Sequence, residues 1–191
     1  MLGHSVDGRP IKAVERGDPS SPRKALVVGS IHGDEPAGLR VTRALRRLRV
    51  TGVDLWIVDT ANPDGLAAHR RTNARGVDLN RDFGRFSQPE TRAIRRFVLK
   101  LKPAVSIWYH QPWDAVLTPH CGSAPPIERR YARRTHMRLS CRGHDLRGVA
   151  SKWERRVVHG ASAFVVELPA SGITRTAVRR HARAALAAAR G

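Results

Sequence analysis

Apolar stretches of membrane length are missing from this chain. None of its runs approaches the ~20 apolar residues that a bilayer-spanning helix needs, so no span is expected. The opening MLGHSVDGRPIK has no apolar core of signal-peptide length. As written, the chain is expected in the cytoplasm, and outside the cell if a signal segment precedes it. Cysteine is scarce, at Cys121 and Cys141 only. Neither belongs to a pair with CxxC spacing, which argues against a structural zinc knuckle and leaves open one disulfide or two reduced thiols. Aromatic residues make up 5% of the chain, and no arginine–aromatic platform suits base stacking. Lysine occurs only at positions 12, 24, 100, 102 and 152, so most of the 35 basic residues are arginine.

Those arginines give a net charge of +19, a balance often found in proteins that bind nucleic acid. Their placement points elsewhere. They cluster in RALRRLR (43–49), RAIRRF (92–97) and RRYARRTHMR (129–138), alternating with apolar positions as on the solvated face of an amphipathic helix. No specific nucleic-acid partner is expected, only a weak attraction to polyanions.

What remains is a globular composition. The 191 residues, 41% of them hydrophobic, suffice for one domain over 1–191 with a substantial core. Strand-like runs occur at 25–31, 53–59, 104–109 and 162–166, with a weaker candidate at 10–15. Helix-like segments lie at 37–48, 88–101, 127–138 and 175–190. Ser87 with Glu90 has the spacing of a capping box for the second helix, and Thr174 can cap the last. Val- and Ile-rich strands alternating with helices predict an α/β fold, with a mostly parallel mixed sheet sandwiched between helices. The polar, turn-rich stretches 59–85 and 111–126 do not fit this scheme, and long loops of that kind are often functional.

Chemistry-bearing residues follow each strong strand. His32 and Glu35 come after the first, NPDG and RRTNARGVDLNRDF after the second, His110 after the third and Glu167 after the fourth. In a parallel sheet all strand C-termini open on one edge, where ligands bind. Two histidines and a carboxylate suit zinc, and three protein ligands leave a fourth position open, as in catalytic sites. The HxxE pair alone is also compatible with a surface turn and a capping acid. His110 could equally be a satisfied core histidine and Glu167 a strand-end acid. Asp78 could cap a turn, and Arg81 with Asp82 could be a surface ion pair.

Taken in order, GSIHGDEPAG, NPDG, RTNARGVDLNRDF, His110 after a strand and AFVVELP resemble the zinc metallocarboxypeptidases, and GHSVDGRPI resembles that family's N-terminal segment. Within the family the likeness is to the small bacterial murein peptide amidases. The resemblance implies a carboxypeptidase-like three-layer fold and a hydrolase with one Zn2+ per chain. The metal would be held by His32, Glu35 and His110, with Asp78 orienting the first histidine. Asn80 and Arg81 would grip the free carboxylate of a small, murein-derived peptide substrate, and Arg71 would stabilise the oxyanion. Glu167 would take a proton from the attacking water and pass it to the leaving amine.

The match departs from the family in places. No tyrosine lies between Cys141 and Gly160, where the larger enzymes carry a mobile one, and neither His144 nor Lys152 can be assigned in its stead. Asp82 stands where asparagine is more usual, a change expected to matter little. Asp34 and Asp64 read as turn acids. Two other readings compete. One is an N-acyl-amino-acid deacylase resembling aspartoacylase and succinylglutamate desuccinylase, and the other is a non-catalytic, zinc-retaining module that binds cell wall or polyanions.

Overall fold

Four consecutive apolar strands that lack the in–out alternation of a half-wet sheet must be covered on both faces. The computed structural model, which describes residues 1–119, 124–143 and 145–191, shows that arrangement. After a short hairpin of β1 (Gly3–His4) and β2 (Pro10–Ile11) come β3 (Ala13–Gly17), β4 (Lys24–Val28), α1 (Ala37–Leu45) and β5 (Asp54–Val58). α2 (Pro63–Ala67), α3 (Pro89–Leu101), β6 (Val105–His110) and β7 (Trp113–Leu117) follow. The chain ends with α4 (Pro126–Thr135), β8 (Arg138–Ser140), α5 (Ala150–Val157), β9 (Ser162–Pro169) and α6 (Arg175–Arg190).

The main sheet has the order β3-β5-β4-β6-β9-β7-β8. Its centre, β5-β4-β6-β9, is parallel; β3 and β7 run antiparallel to their neighbours β5 and β9, and β8 is parallel to β7. Alternate side chains of each strand build two cores. Val27, Ile107, Tyr109 and Val166 pack with α1, α4 and α6 on one face, and Leu26, Val28, Trp108 and Val165 with α3 and α5 on the other. The chain thus has the carboxypeptidase-like three-layer α/β fold expected from its sequence.

The crossover through α1 carries the chain from β4 outward to β5. The one through α3 brings it back past β4 to β6. The strand order therefore reverses between β4 and β6, and such a switch point opens a crevice at the strands' C-terminal ends.

Several boundaries differ from the sequence reading. α1 stops at Leu45 because its last turn tightens into i→i+3 bonds, Arg47 N–H to Ala44 O and Leu48 N–H to Leu45 O. α4 stops at Thr135 because His136 adopts φ 60°, a left-handed cap. β7, β8 and α5 were not foreseen. In α5 the apolar period is broken by Glu154, a charged residue at a fully buried position. Thr174 does cap α6, accepting from the Ala177 N–H at 3.2 Å.

The Ser87–Glu90 capping box does not form. Glu90 turns inward to accept from the Val6 N–H (3.0 Å) and Asn73 Nδ2 (3.3 Å). The start of α3 is held by Asp82 instead, whose Oδ1 accepts from the Ser87 N–H and Oγ and whose Oδ2 accepts from the Gln88 N–H and Thr91 Oγ1. Four donors on two oxygens require a carboxylate; an amide would turn its own donor toward two of them. Asp82 therefore matters more than its expected equivalence to asparagine implied.

Candidate metal centre and substrate cavity

At the β4/β6 switch point the chain leaving β4 makes the turn His32–Gly33–Asp34–Glu35. Its backbone is fixed by Glu35 N–H to His32 O (3.2 Å) and Gly33 N–H to Arg70 O (3.0 Å). Gly33 has no room for a side chain, since a Cβ there would lie 1.9 Å from the Gly65 carbonyl carbon. Gly65 belongs to the NPDG turn, where Asn62 Oδ1 accepts the Gly65 N–H (2.9 Å) and caps α2. The two glycine-bearing motifs thus pack backbone to backbone, and this seats the His32–Glu35 turn. Asp64 is more than a turn acid: buried, it accepts from Ser5 Oγ (2.7 Å) and the Asp7 N–H (3.0 Å), tying the N-terminal segment beneath the NPDG turn.

His110 closes β6 beside this turn. His32 Nδ1 lies 2.9 Å from Glu35 Oε1, His110 Nδ1 lies 2.9 Å from Glu35 Oε2, and the two Nδ1 atoms are 3.2 Å apart. One potential ligand atom from each of the three residues falls within 4.8 Å of the others. Ligand atoms around a tetrahedral zinc at ~2.0–2.1 Å stand roughly 3.3 Å from one another, so this set fits that ion. Each outer contact suits the same role. His32 Nε2 meets Asp78 Oδ1 at 3.0 Å, which leaves Nδ1 free of its proton when Nε2 donates. The Gln111 N–H donates to Glu35 Oε2 (3.1 Å), and Gln111 Oε1 accepts the Ala37 N–H at the head of α1 (3.0 Å).

Around the trio lies a cavity of about 540 Å³, lined by His32, Glu35, Arg71, Asn80, Arg81, His110 and Glu167 among others. Of the residues given a role in binding or catalysis from the sequence, Asp78 alone does not line the cavity. Asp78 also starts the 3₁₀ turn Leu79–Arg81 by accepting the Asn80 N–H (2.8 Å), so one carboxylate sets both His32 and the turn carrying Asn80 and Arg81.

With this geometry, the comparisons with known proteins decide the family. Residues 1–140 match the family model described as zinc carboxypeptidase. The chain belongs to the zinc carboxypeptidase family. Carboxypeptidase SOL1 of Arabidopsis thaliana is 28% identical over 201 residues, covering 86% of this chain and 40% of that protein. Murein peptide amidase A of Escherichia coli K12 is 27% identical over 130 residues, covering 52% of this chain and 54% of that protein. The chain thus spans about half or less of the length of these curated relatives. Among solved structures, murein-tripeptide amidase from Escherichia coli O157 superposes with a TM-score of 0.81 at 22% identity, covering 100% of this chain and 90% of that one. Carboxypeptidase A from Helicoverpa armigera gives 0.80 at 22% identity, covering 100% and 68%. At these identities the superpositions speak for the fold, including the part beyond residue 140 that carries β9.

In this member of the zinc carboxypeptidase family Glu167 stands on β9 in register with His110 on β6. Its Oε2 is buried without a hydrogen-bond partner among the described residues. Burial pushes its carboxyl above the ordinary value, only partly opposed by the charge of His110 and a hydrogen bond from the Trp113 backbone. Glu35 and Asp78 go the other way. Burial opposes ionisation in both, but the histidine hydrogen bonds outweigh it and hold each carboxyl well below its usual range. Glu35 thus presents an anionic carboxylate to the trio, with Asp78 supporting His32 from behind.

Arg71 reaches in from the loop after α2, donating through Nη1 to Glu35 Oε1 and through Nε to Asp78 Oδ2, both at 3.0 Å. Asn80 is buried; its Oδ1 accepts the Ala150 N–H at the start of α5 (2.9 Å) and its Nδ2 lies 3.4 Å from His110 Nε2. Arg81 is exposed on the rim, with Nη1 donating to Asn80 O at 2.8 Å.

Sequence reasoning missed Gln111, whose only signal was its place directly after a candidate ligand, and Trp113, which lines the cavity from the unforeseen β7. Tyr109 and Tyr131 lie in the opposite core, hydrogen-bonded to each other at 2.7 Å, so no described tyrosine lines the cavity. His181 Nδ1 lies 2.9 Å from the Tyr131 hydroxyl in the same core. Lys152 donates to Leu146 O at 2.8 Å near the cavity, while His144 lies outside the described residues. Cys141 is disulfide-bonded, and Cys121, the other cysteine, lies outside the described residues. No helix among the described residues is long and apolar enough to cross a membrane.

Proposed function

We propose that residues 1–191 form a single catalytic domain that hydrolyses an amide bond next to a free carboxylate in small, murein-derived peptides. The observation that carries this reading is the meeting of His32, Glu35 and His110 in one cavity with Glu167, whose Oε2 is buried without a partner among the described residues. His32, Glu35 and His110 would hold a zinc ion. When bound, zinc polarises the scissile carbonyl and makes water a competent nucleophile near neutral pH. Asp78 fixes the proton of His32 on Nε2. Arg81 and the Asn80 amide bind the terminal carboxylate, which sets the distance from that end of the substrate to the reacting carbon. Arg71 turns a donor of its planar fork toward the developing oxyanion. Glu167 accepts the proton of the attacking water and gives it to the leaving amine.

Family membership supports this over the deacylase reading, and a buried carboxyl with one oxygen left unpartnered among the described residues supports it over a pure binding module. The small murein-directed relatives support a cell-wall peptide as substrate. The test is substrate polarity. Amidating the terminal carboxylate of a good peptide should lower kcat/KM by at least ~30-fold, because a guanidinium committed to that carboxylate loses an ionic hydrogen bond worth about 2 kcal/mol. Equal turnover of acid and amide would remove Asn80 and Arg81 from this role.

A further inference from the structure

The end of the sheet away from the candidate metal centre carries a second cavity, of about 430 Å³, which shares no lining residue with the first. That volume lies within the ~300–1,000 Å³ usual for small-molecule sites. Its floor is the start of the strands. Lys24 and Asp54 are the first residues of β4 and β5 and stand in register; two residues further along β5, Trp56 stands in register with Glu15 of the edge strand β3. Side chains two apart on a strand share a face, so Asp54 and Trp56 both line the space beneath α3. α3 forms the opposite wall. Phe97 meets the Trp56 ring edge-on with centroids 5.2 Å apart, and Arg96 and Lys100 stand beside it, neighbours at i,i+4 on one helix face.

The polar groups of this cavity are incompletely partnered. Asp54 is buried, and its Oδ2 faces Lys24 Nζ at 3.4 Å, but its Oδ1 has no hydrogen-bond partner among the described residues. The buried Trp56 Nε1–H likewise lacks an acceptor among them. Glu15 on the sheet side and Arg96 and Lys100 on the helix side are exposed, and none forms an ion pair with another described residue. Opposite charges thus face one another across an aromatic cleft without meeting.

We propose that this cavity binds a small zwitterion with an apolar body, of the class of a free aromatic amino acid. Its ammonium lies on the sheet side, where Glu15 supplies an uncompensated charge and Asp54 Oδ1 an unused acceptor. Its carboxylate meets Arg96 and Lys100 and offers the Trp56 N–H an acceptor, while the ring packs against Trp56 and Phe97. A neutral apolar ligand would leave both sets of charges unanswered. An amine alone would leave the helix side so, and a carboxylate alone the sheet side. The site goes beyond the hydrolase reading and does not depend on it.

The two cavities have separate reporters, because Trp56 lines this one and Trp113 the other. In the zinc-loaded chain, isotope-labelled at tryptophan for nuclear magnetic resonance, Trp56→Phe and Trp113→Phe assign the two indole signals. Titration with L-phenylalanine should move the Trp56 signal saturably, and any response of Trp113 should follow a curve of its own. Phenylpropionate, which lacks the ammonium, and phenylethylamine, which lacks the carboxylate, should each bind at Trp56 at least about 10-fold more weakly. Glu15→Gln and the double variant Arg96→Gln with Lys100→Gln change exposed residues only and should each weaken phenylalanine by a similar factor. An unmoved Trp56 signal, equal binding of the three ligands, or binding untouched by both variants overturns the proposal. So does a Trp56 response that tracks the Trp113 curve and vanishes with it in Arg81→Gln, since the ligand then occupies the first cavity.

Discussion

Glu154 lies in the core between α5 and the sheet, with no solvent exposure, where it accepts hydrogen bonds from Ser106 Oγ and from Trp108 Nε1 (3.0 Å). Burial pushes its carboxyl up from 4.5 to about 7, against the pull of those two bonds and of Arg155. An acid whose folded pKa is raised holds its proton more tightly in the folded chain than in the unfolded one. The associated stability is therefore fully present below pH ~4.5 and is lost as pH climbs toward ~7. At 1.36 kcal/mol per pH unit the loss sums to ~3 kcal/mol by neutral pH. Glu154→Gln keeps the shape, and its amide can bond Ser106 and Trp108 as the protonated acid does. The variant should match the parent chain near pH 4 and exceed it by up to ~3 kcal/mol near pH 8. Urea unfolding followed by tryptophan fluorescence across that range measures the difference directly. Taking the difference removes the opposite contribution of His181, which burial depresses from 6.5 to about 4 and whose stabilising effect is lost as pH falls through that interval. A difference curve that is flat with pH, or that falls, would refute the assignment of a destabilising buried charge to Glu154.

Three further outcomes are expected. His32→Ala and His110→Ala should each abolish stoichiometric zinc in elemental analysis while leaving a cooperative unfolding transition, because both residues sit at the sheet's edge; undiminished zinc in both would end the ligand assignment. Glu167→Gln should retain zinc and lower kcat by ~10² to 10⁴ with little change in KM, the signature of a lost acid–base group; loss of zinc would instead make Glu167 a ligand. Gly33→Ala drives a methyl group against the Gly65 backbone and should cost about 2 kcal/mol or more in thermal unfolding, weakening zinc retention with it; an unchanged melting temperature would show that the two turns are not locked together.

The local sequence determined the parts that depend on short-range chemistry. Uninterrupted Val- and Ile-rich runs can only be strands covered on both faces, and this named the four central strands and the three-layer fold. Because parallel strands deliver their C-termini to one edge, it also named His32, Glu35, His110 and Glu167 as residues of one site before any distance was known. Packing between distant segments decided the rest. Only the folded chain could reveal that Asp82 rather than Ser87 anchors α3, since the choice depends on which donors the 3₁₀ turn leaves within reach. The seating of Gly33 on Gly65 joins motifs far apart in the chain. β7 carries Trp113 into the cavity although its mixed composition gives little strand signal, because pairing with β9 supplies the missing free energy. α5 was hidden by the buried Glu154, whose cost is borne by tertiary hydrogen bonds from β6 that no local pattern records.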